Sequence, residues 1–364
     1  MSFVKSIFKY FPTPNFLDMS HSGVDISPTA IRFVELIKTP HGLKLGGFGE
    51  QTLPKPLVNG ESLVADLDLI AALKKLQRAE QLSLVEVSVP EEKAYIYTTE
   101  VPEGDDESIR NNIEFHLEEN VPISLADAVY DYFIIRNNEK AGTIFASVSV
   151  VPLSVVQEYI DLFAKAGMTV VSFLTENQAM TRAVIAKGDK RTALIVSLGL
   201  RKTVLSIVSE EAVQFTTTAP IGSEDFTAAI MKEFGVDAVK AEQIKKEKGF
   251  VRSKENEALF LSLISTASAL KDEINHIYTY WESNREKNKG NSFITPIDHI
   301  ILSGQDASII GFREYIAVSM KTDVELGNVW ANLFSFDEEI PPIEYLESLS
   351  YGNAIGLALP KQPN

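Results

Sequence analysis

Asp25 closes the apolar run Gly23–Ile26, and the chain bends at Ser27-Pro28 before a second apolar run from Thr29 to Leu36. The bend thus carries a lone carboxylate, and the turn's backbone N–H groups can hold a phosphate. The same order returns at ALIVSLGLRKTVLSIV, residues 193–208, with Gly199 in the turn and Thr203 opening the next strand. A third turn, at Gly304-Gln305 in IILSGQDASII, follows a strand and precedes a helix. Duplicated strand–turn–strand units and a glycine turn imply two similar halves around a cleft, with phosphate approached by backbone donors. Asp25, Glu242 and Lys245 also read, more plainly, as structural or surface charge.

Composition removes several other chemistries. The chain of 364 residues has no cysteine, so disulfides, thiolate metal sites and cysteine nucleophiles are excluded. Its five histidines are scattered, with no pair at metal-ligand spacing. A formal net charge of -16 argues against nucleic acid, whose phosphates need a basic face. No uncharged apolar run is long enough for a membrane span, so the chain reads as soluble and cytoplasmic. The length suits two domains or one large split one.

The elements that must position these turns alternate strand and helix, as α/β folds do. LVEVSVP is a strand, and the segment Glu61–Gln81 a helix with Leu63, Leu67, Ile70, Leu73 and Leu76 as its buried stripe. From Tyr95 to Gly167 the order becomes strand, helix, strand, strand, helix, a small α+β insert. Residues 223–290 are helical, with Phe260, Leu263, Ala267, Leu270, Ile274, Ile277 and Trp281 at three- and four-residue steps, a core stripe. In residues 1–17, Phe3, Ile7, Phe8 and Phe11 share one helical face. That face suits a membrane surface or a partner, and equally a helix docked on its own domain.

The whole pattern resembles the actin, Hsp70 and sugar-kinase superfamily, and within it the PilM family of type IV pilus assembly. The resemblance rests on GVDISPTAIRFVEL, on IRNNIEFHLEENVPISLADAVYDYFII in the insert, on DAVKAEQIKKEKG, on ILSGQDASIIGF and on NAIGLAL. It implies an α/β, ribonuclease H-like duplicated two-lobe fold with an α+β insert subdomain. The first lobe would comprise 20–94 and 168–190, closed by 345–364. The insert would be 95–167, and the second lobe 191–344. The resemblance implies an ATP or ADP site with magnesium at Asp25, Ser27, Thr29, Arg32, Gly199, Thr203, Gly304 and Gln305, with Glu242 and Lys245 on the adenine side. Asp25 would be the metal residue.

The loops depart from that pattern. Ser27-Pro28 replaces glycine-serine, which resists positive φ and removes an N–H donor. Ser197 replaces the metal-side aspartate of the second loop, and Gln305 and Asp306 replace glycines of the third. These changes imply weak or lost nucleotide binding and favour a scaffold over an enzyme; the resemblance implies that it captures the cytoplasmic tail of a PilN-like bitopic membrane protein. Further implied partners are pilus assembly motor components and peripheral contact with the inner membrane. The tail groove is expected beside Val121, Ile123, Tyr130, Tyr132 and Ile134, about half of which should serve the insert's own core. The competing reading is an active ATPase or small-molecule kinase of the same superfamily.

Overall fold

Two of the three sheets repeat one plan. In the first, β1 (Ser22–Ile26), β2 (Ala30–Thr39) and β3 (Gly42–Thr52) form an antiparallel meander; β4 (Leu84–Val89) and β8 (Thr169–Thr175) add in parallel. The order is β3-β2-β1-β4-β8. In the second, β9 (Ala193–Leu198), β10 (Thr203–Ser209) and β11 (Ala212–Ala219) are the meander, and β12 (His299–Ser303) and β13 (Val324–Leu326) add in parallel. Its order, β11-β10-β9-β12-β13, matches the first position by position. β5 (Tyr95–Pro102), β6 (Ala128–Asn138) and β7 (Thr143–Pro152) make a separate antiparallel sheet in the order β5-β7-β6. This computed structural model describes residues 20–40, 42–57, 63–139, 141–287, 294–336 and 339–360. The expected amphipathic segment 1–17 lies outside them.

Burial explains why these runs are strands. β4, β9 and β12 are buried along almost their whole length, as central strands covered on both faces must be. Helix Leu67–Glu80 starts where the Asp66 side chain accepts from the Leu69 N–H at 3.0 Å, and it buries Leu69, Ile70, Leu73 and Leu76 against the first sheet, while Leu67 of the expected stripe is exposed. Helix Asp106–Asn120 lays Ile109, Ile113 and Leu117 on the insert sheet, against Val101, Tyr132, Val148 and Val150. Helix Glu257–Lys287 buries Leu263, Ala267, Leu270, Ile274, Ile277 and Trp281, the expected stripe.

One expected boundary moves. Helix Leu153–Ala166, expected to end the insert, joins the first lobe: Tyr159, Leu162 and Phe163 share a core with Leu69, Leu73 and Val85. The sequence shows a helix after a strand either way; only the packing shows which sheet its apolar face covers.

Helix Gly352–Ala358 returns to the first lobe beside helix Glu176–Val184. The two approach so closely that a Cβ on Gly356 would sit 1.8 Å from the Ala179 carbonyl oxygen. Both helices contribute to the large core that continues into the second sheet.

Candidate functional site

The β1–β2 turn, the β9–β10 turn and the turn after β12 meet between the lobes around a cavity of about 500 Å³. Seven of the ten residues expected at a nucleotide site line it: Asp25, Ser27, Thr29, Arg32, Gly199, Gly304 and Gln305. Three do not. Thr203 is fully buried and donates its hydroxyl to the Ile221 carbonyl at 2.7 Å. Lys245 is 1% exposed and donates to Ser223 Oγ at 2.6 Å and Thr227 Oγ1 at 3.1 Å. Its ammonium also pairs with Glu242 at 2.8 Å and Asp306 at 3.5 Å. Burial works to raise the Glu242 pKa, but Lys245 outweighs it and holds the carboxyl below its ordinary range. The expected adenine-side pair thus ties two helices to the loop after β12.

Two of the N–H donors that a phosphate could use are spent inside the turns. Ser27 N–H donates to the Ala30 carbonyl at 2.9 Å, Gly199 N–H donates to the Lys202 carbonyl at 3.0 Å, and Pro28 has no N–H. Gly304 adopts φ +90, and a Cβ there would stand 2.4 Å from the Leu198 carbonyl oxygen. That glycine is required by the approach of two turns. Asp25 Oδ1 already accepts from Ser88 Oγ at 2.6 Å and from Asn353 Nδ2 at 3.2 Å. Ser197 supplies only a buried hydroxyl without a partner. Among the described residues no group of three or more histidine, cysteine or acidic side chains could hold a metal.

The cavity also holds groups that the sequence reading missed: Glu92, Glu176, Arg201, Lys202 and Asn353. Arg201 and Lys202 were within reach, being in the same turn as Gly199. Glu176 and Asn353 arrive from helices distant in sequence; Asn353 opens the NAIGLAL stretch, while no pattern marks Glu176.

A second cavity, of about 310 Å³, lies between the first lobe and the insert. Its walls include residues 131–133 of β6 and 172–174 of β8, each an end strand of its sheet. Val213, whose carbonyl accepts from Ser147 Oγ at 2.6 Å, and Glu211 close one end. Arg182 crosses the floor to Glu86 at 3.0 Å, with burial pulling its pKa below the ordinary value. Thr181 Oγ1, buried without a hydrogen-bond partner, belongs to the same wall.

Of the five residues expected at a partner groove, only Tyr132 borders this cavity. Val121 and Tyr132 are buried in the insert's core, and Ile123, Tyr130 and Ile134 pack onto it. Tyr130 donates to Glu114 at 2.7 Å and Tyr132 to Asp106 at 2.6 Å, while Arg110 lies over both rings. Burial, then those carboxylates, pushes both phenols up to about 12. Alternation along β6 places 130, 132 and 134 toward the helix, so 131 and 133 take the other face.

A duplicated five-stranded plan closing on a cleft, with a third sheet inserted in the first lobe, defines an actin-like fold. Solved structures agree. A PilM–PilN type IV pilus biogenesis complex matches at 17% identity with TM-score 0.70, over 93% of this chain and 98% of that one. The ethanolamine utilization protein EutJ from Carboxydothermus hydrogenoformans matches at 13% identity with TM-score 0.51, over 93% and 89%. At these identities the likeness is one of fold. The family model of type IV pilus assembly protein PilM matches residues 23–362, and the chain belongs to that family. Among the described residues no helix is long and apolar enough to cross a membrane.

Proposed function

We propose that this protein is a cytoplasmic, actin-like scaffold of a type IV pilus or related secretion platform, peripheral at the inner membrane. It captures the short cytoplasmic tail of a PilN-like bitopic membrane protein in the groove between β6 and β8. The observation that carries this reading is the pair of end strands facing one groove, with Phe133 and Phe173 in its walls. An end strand offers unpaired N–H and C=O groups to an extended peptide, and apolar walls accept its side chains. The similar solved complex of PilM with PilN supports the partner class. The inter-lobe cavity acts as frame, with nucleotide binding weakened by Ser197 and by turns that spend their own donors; ATP turnover would need the missing carboxylate.

Titration calorimetry with a synthetic peptide of such a tail tests the reading. The wild type binds, and Phe133→Asp weakens binding at least about tenfold, because an unpaired carboxylate is costly in an apolar wall. Equal affinity in the folded variant would overturn the groove assignment. ATP with magnesium is expected to bind more weakly than about 100 µM, and sub-micromolar affinity would contradict the reading of the cleft.

A further inference from the structure

Three basic side chains reach across the inter-lobe cavity, two from the β9–β10 turn and one from β2. Lys202, in the β9–β10 turn of the second lobe, pairs with Glu92 and with Glu176 at 3.3 Å, both in the first lobe. Arg201, next in the same turn, donates through Nη1 to the Leu57 carbonyl at 3.2 Å, again across the cleft. Arg32 of the first lobe donates through Nη2 to Gln305 Oε1 of the second at 3.3 Å. The Lys202 and Glu176 side chains are 23% and 21% exposed, so water screens this pair less than a surface pair. Burial alone would lower the Lys202 pKa; Glu176 and Glu92 outweigh it and raise it, keeping the ammonium charged.

We infer that Lys202 is a built-in latch, which holds the two lobes in one arrangement without any ligand between them. In a cleft bridged by a bound polyphosphate, the ligand supplies the contacts to both walls. Here the chain's own cations supply them. A polyphosphate entering the cavity would have to separate Lys202 from Glu92 and Glu176. It would then face those two carboxylates and Asp25, all of which line the cavity. The lobe arrangement is therefore set by the sequence and is independent of nucleotide and of divalent cation. This inference does not depend on the tail-groove reading.

The chain has no cysteine, so a pair of spin labels can be placed without background. Lys75 and Glu233 are exposed, on helices of the first and second lobes, and Lys75→Cys with Glu233→Cys spans the cleft. Double electron–electron resonance on the ligand-free protein is expected to give one narrow distance distribution. It should not change with ATP and magnesium, or with EDTA. Adding Lys202→Met should broaden the distribution toward longer distances, and Lys202→Arg should restore it. Glu92→Gln, which breaks one pair from the more exposed side, should broaden it partially and serves if Lys202→Met does not fold. A broad ligand-free distribution that narrows with ATP and magnesium would overturn the latch. So would a narrow distribution that survives both Lys202→Met and Glu92→Gln.

Discussion

Glu91 lies where the first lobe, the insert and the second sheet meet; it is 4% exposed, and its Oε1 has no hydrogen-bond partner. Burial, then the charge of Glu176, pushes its pKa from 4.5 to about 7. The folded protein then holds a proton that the unfolded chain loses between those two values, so stability falls as pH rises through that window and levels off above it. The size of the fall is about 3 kcal/mol at most. Glu91→Gln is expected to flatten this slope, so that it melts higher than wild type at pH 8 and about equally at pH 4.5. Melting curves across the range check it; parallel curves for the two proteins would contradict it. Charge roles were the least legible feature of the sequence. Lys245 and Glu242 stood at positions that suggested a ligand, yet their partners Ser223, Thr227 and Asp306 come from two other segments and turn the pair inward. The turn at Gly199 points to Lys202, but not to its carboxylate partners, which lie in the first lobe.

Elements were easier to read, because periodicity reports which residues share a face. The three-and-four spacing of helix Glu257–Lys287 and the buried runs of β4 and β9 led directly to core positions. Periodicity does not say what that face meets. Tyr130, Tyr132 and Ile134 were correctly grouped, but the helix that covers them is the insert's own. Likewise the helix Leu153–Ala166 was expected, though not its packing on the first lobe. Phe163, fully buried there, supports a prediction: Phe163→Ala should cost about 3–5 kcal/mol. Hydrogen exchange should then quicken at β4 and β8 before β5 and β7, whereas quickening confined to the insert would restore the original boundary. Gly356 gives a second prediction. With the Ala179 carbonyl in the way of a Cβ, Gly356→Ala should force the two helices apart and cost about 1–3 kcal/mol, read as a lower melting temperature.

At the scale of the molecule, duplication was legible because two separate stretches carried the same strand–turn–strand order, and both sheets repeat it. The groove was not legible, because it is formed by the free edges of two strands from different sheets, with the β10–β11 connection closing one end. An edge is a property of sheet order, which no local pattern encodes. In the proposed function the partner's tail lies along these edges. Hydrogen exchange with and without a tail peptide tests it most directly. Slower exchange is expected at amides of residues 131–133 and 172–174, with residues 197–202 of the inter-lobe cavity unchanged. Protection of 197–202 with no change along β6 and β8 would contradict it.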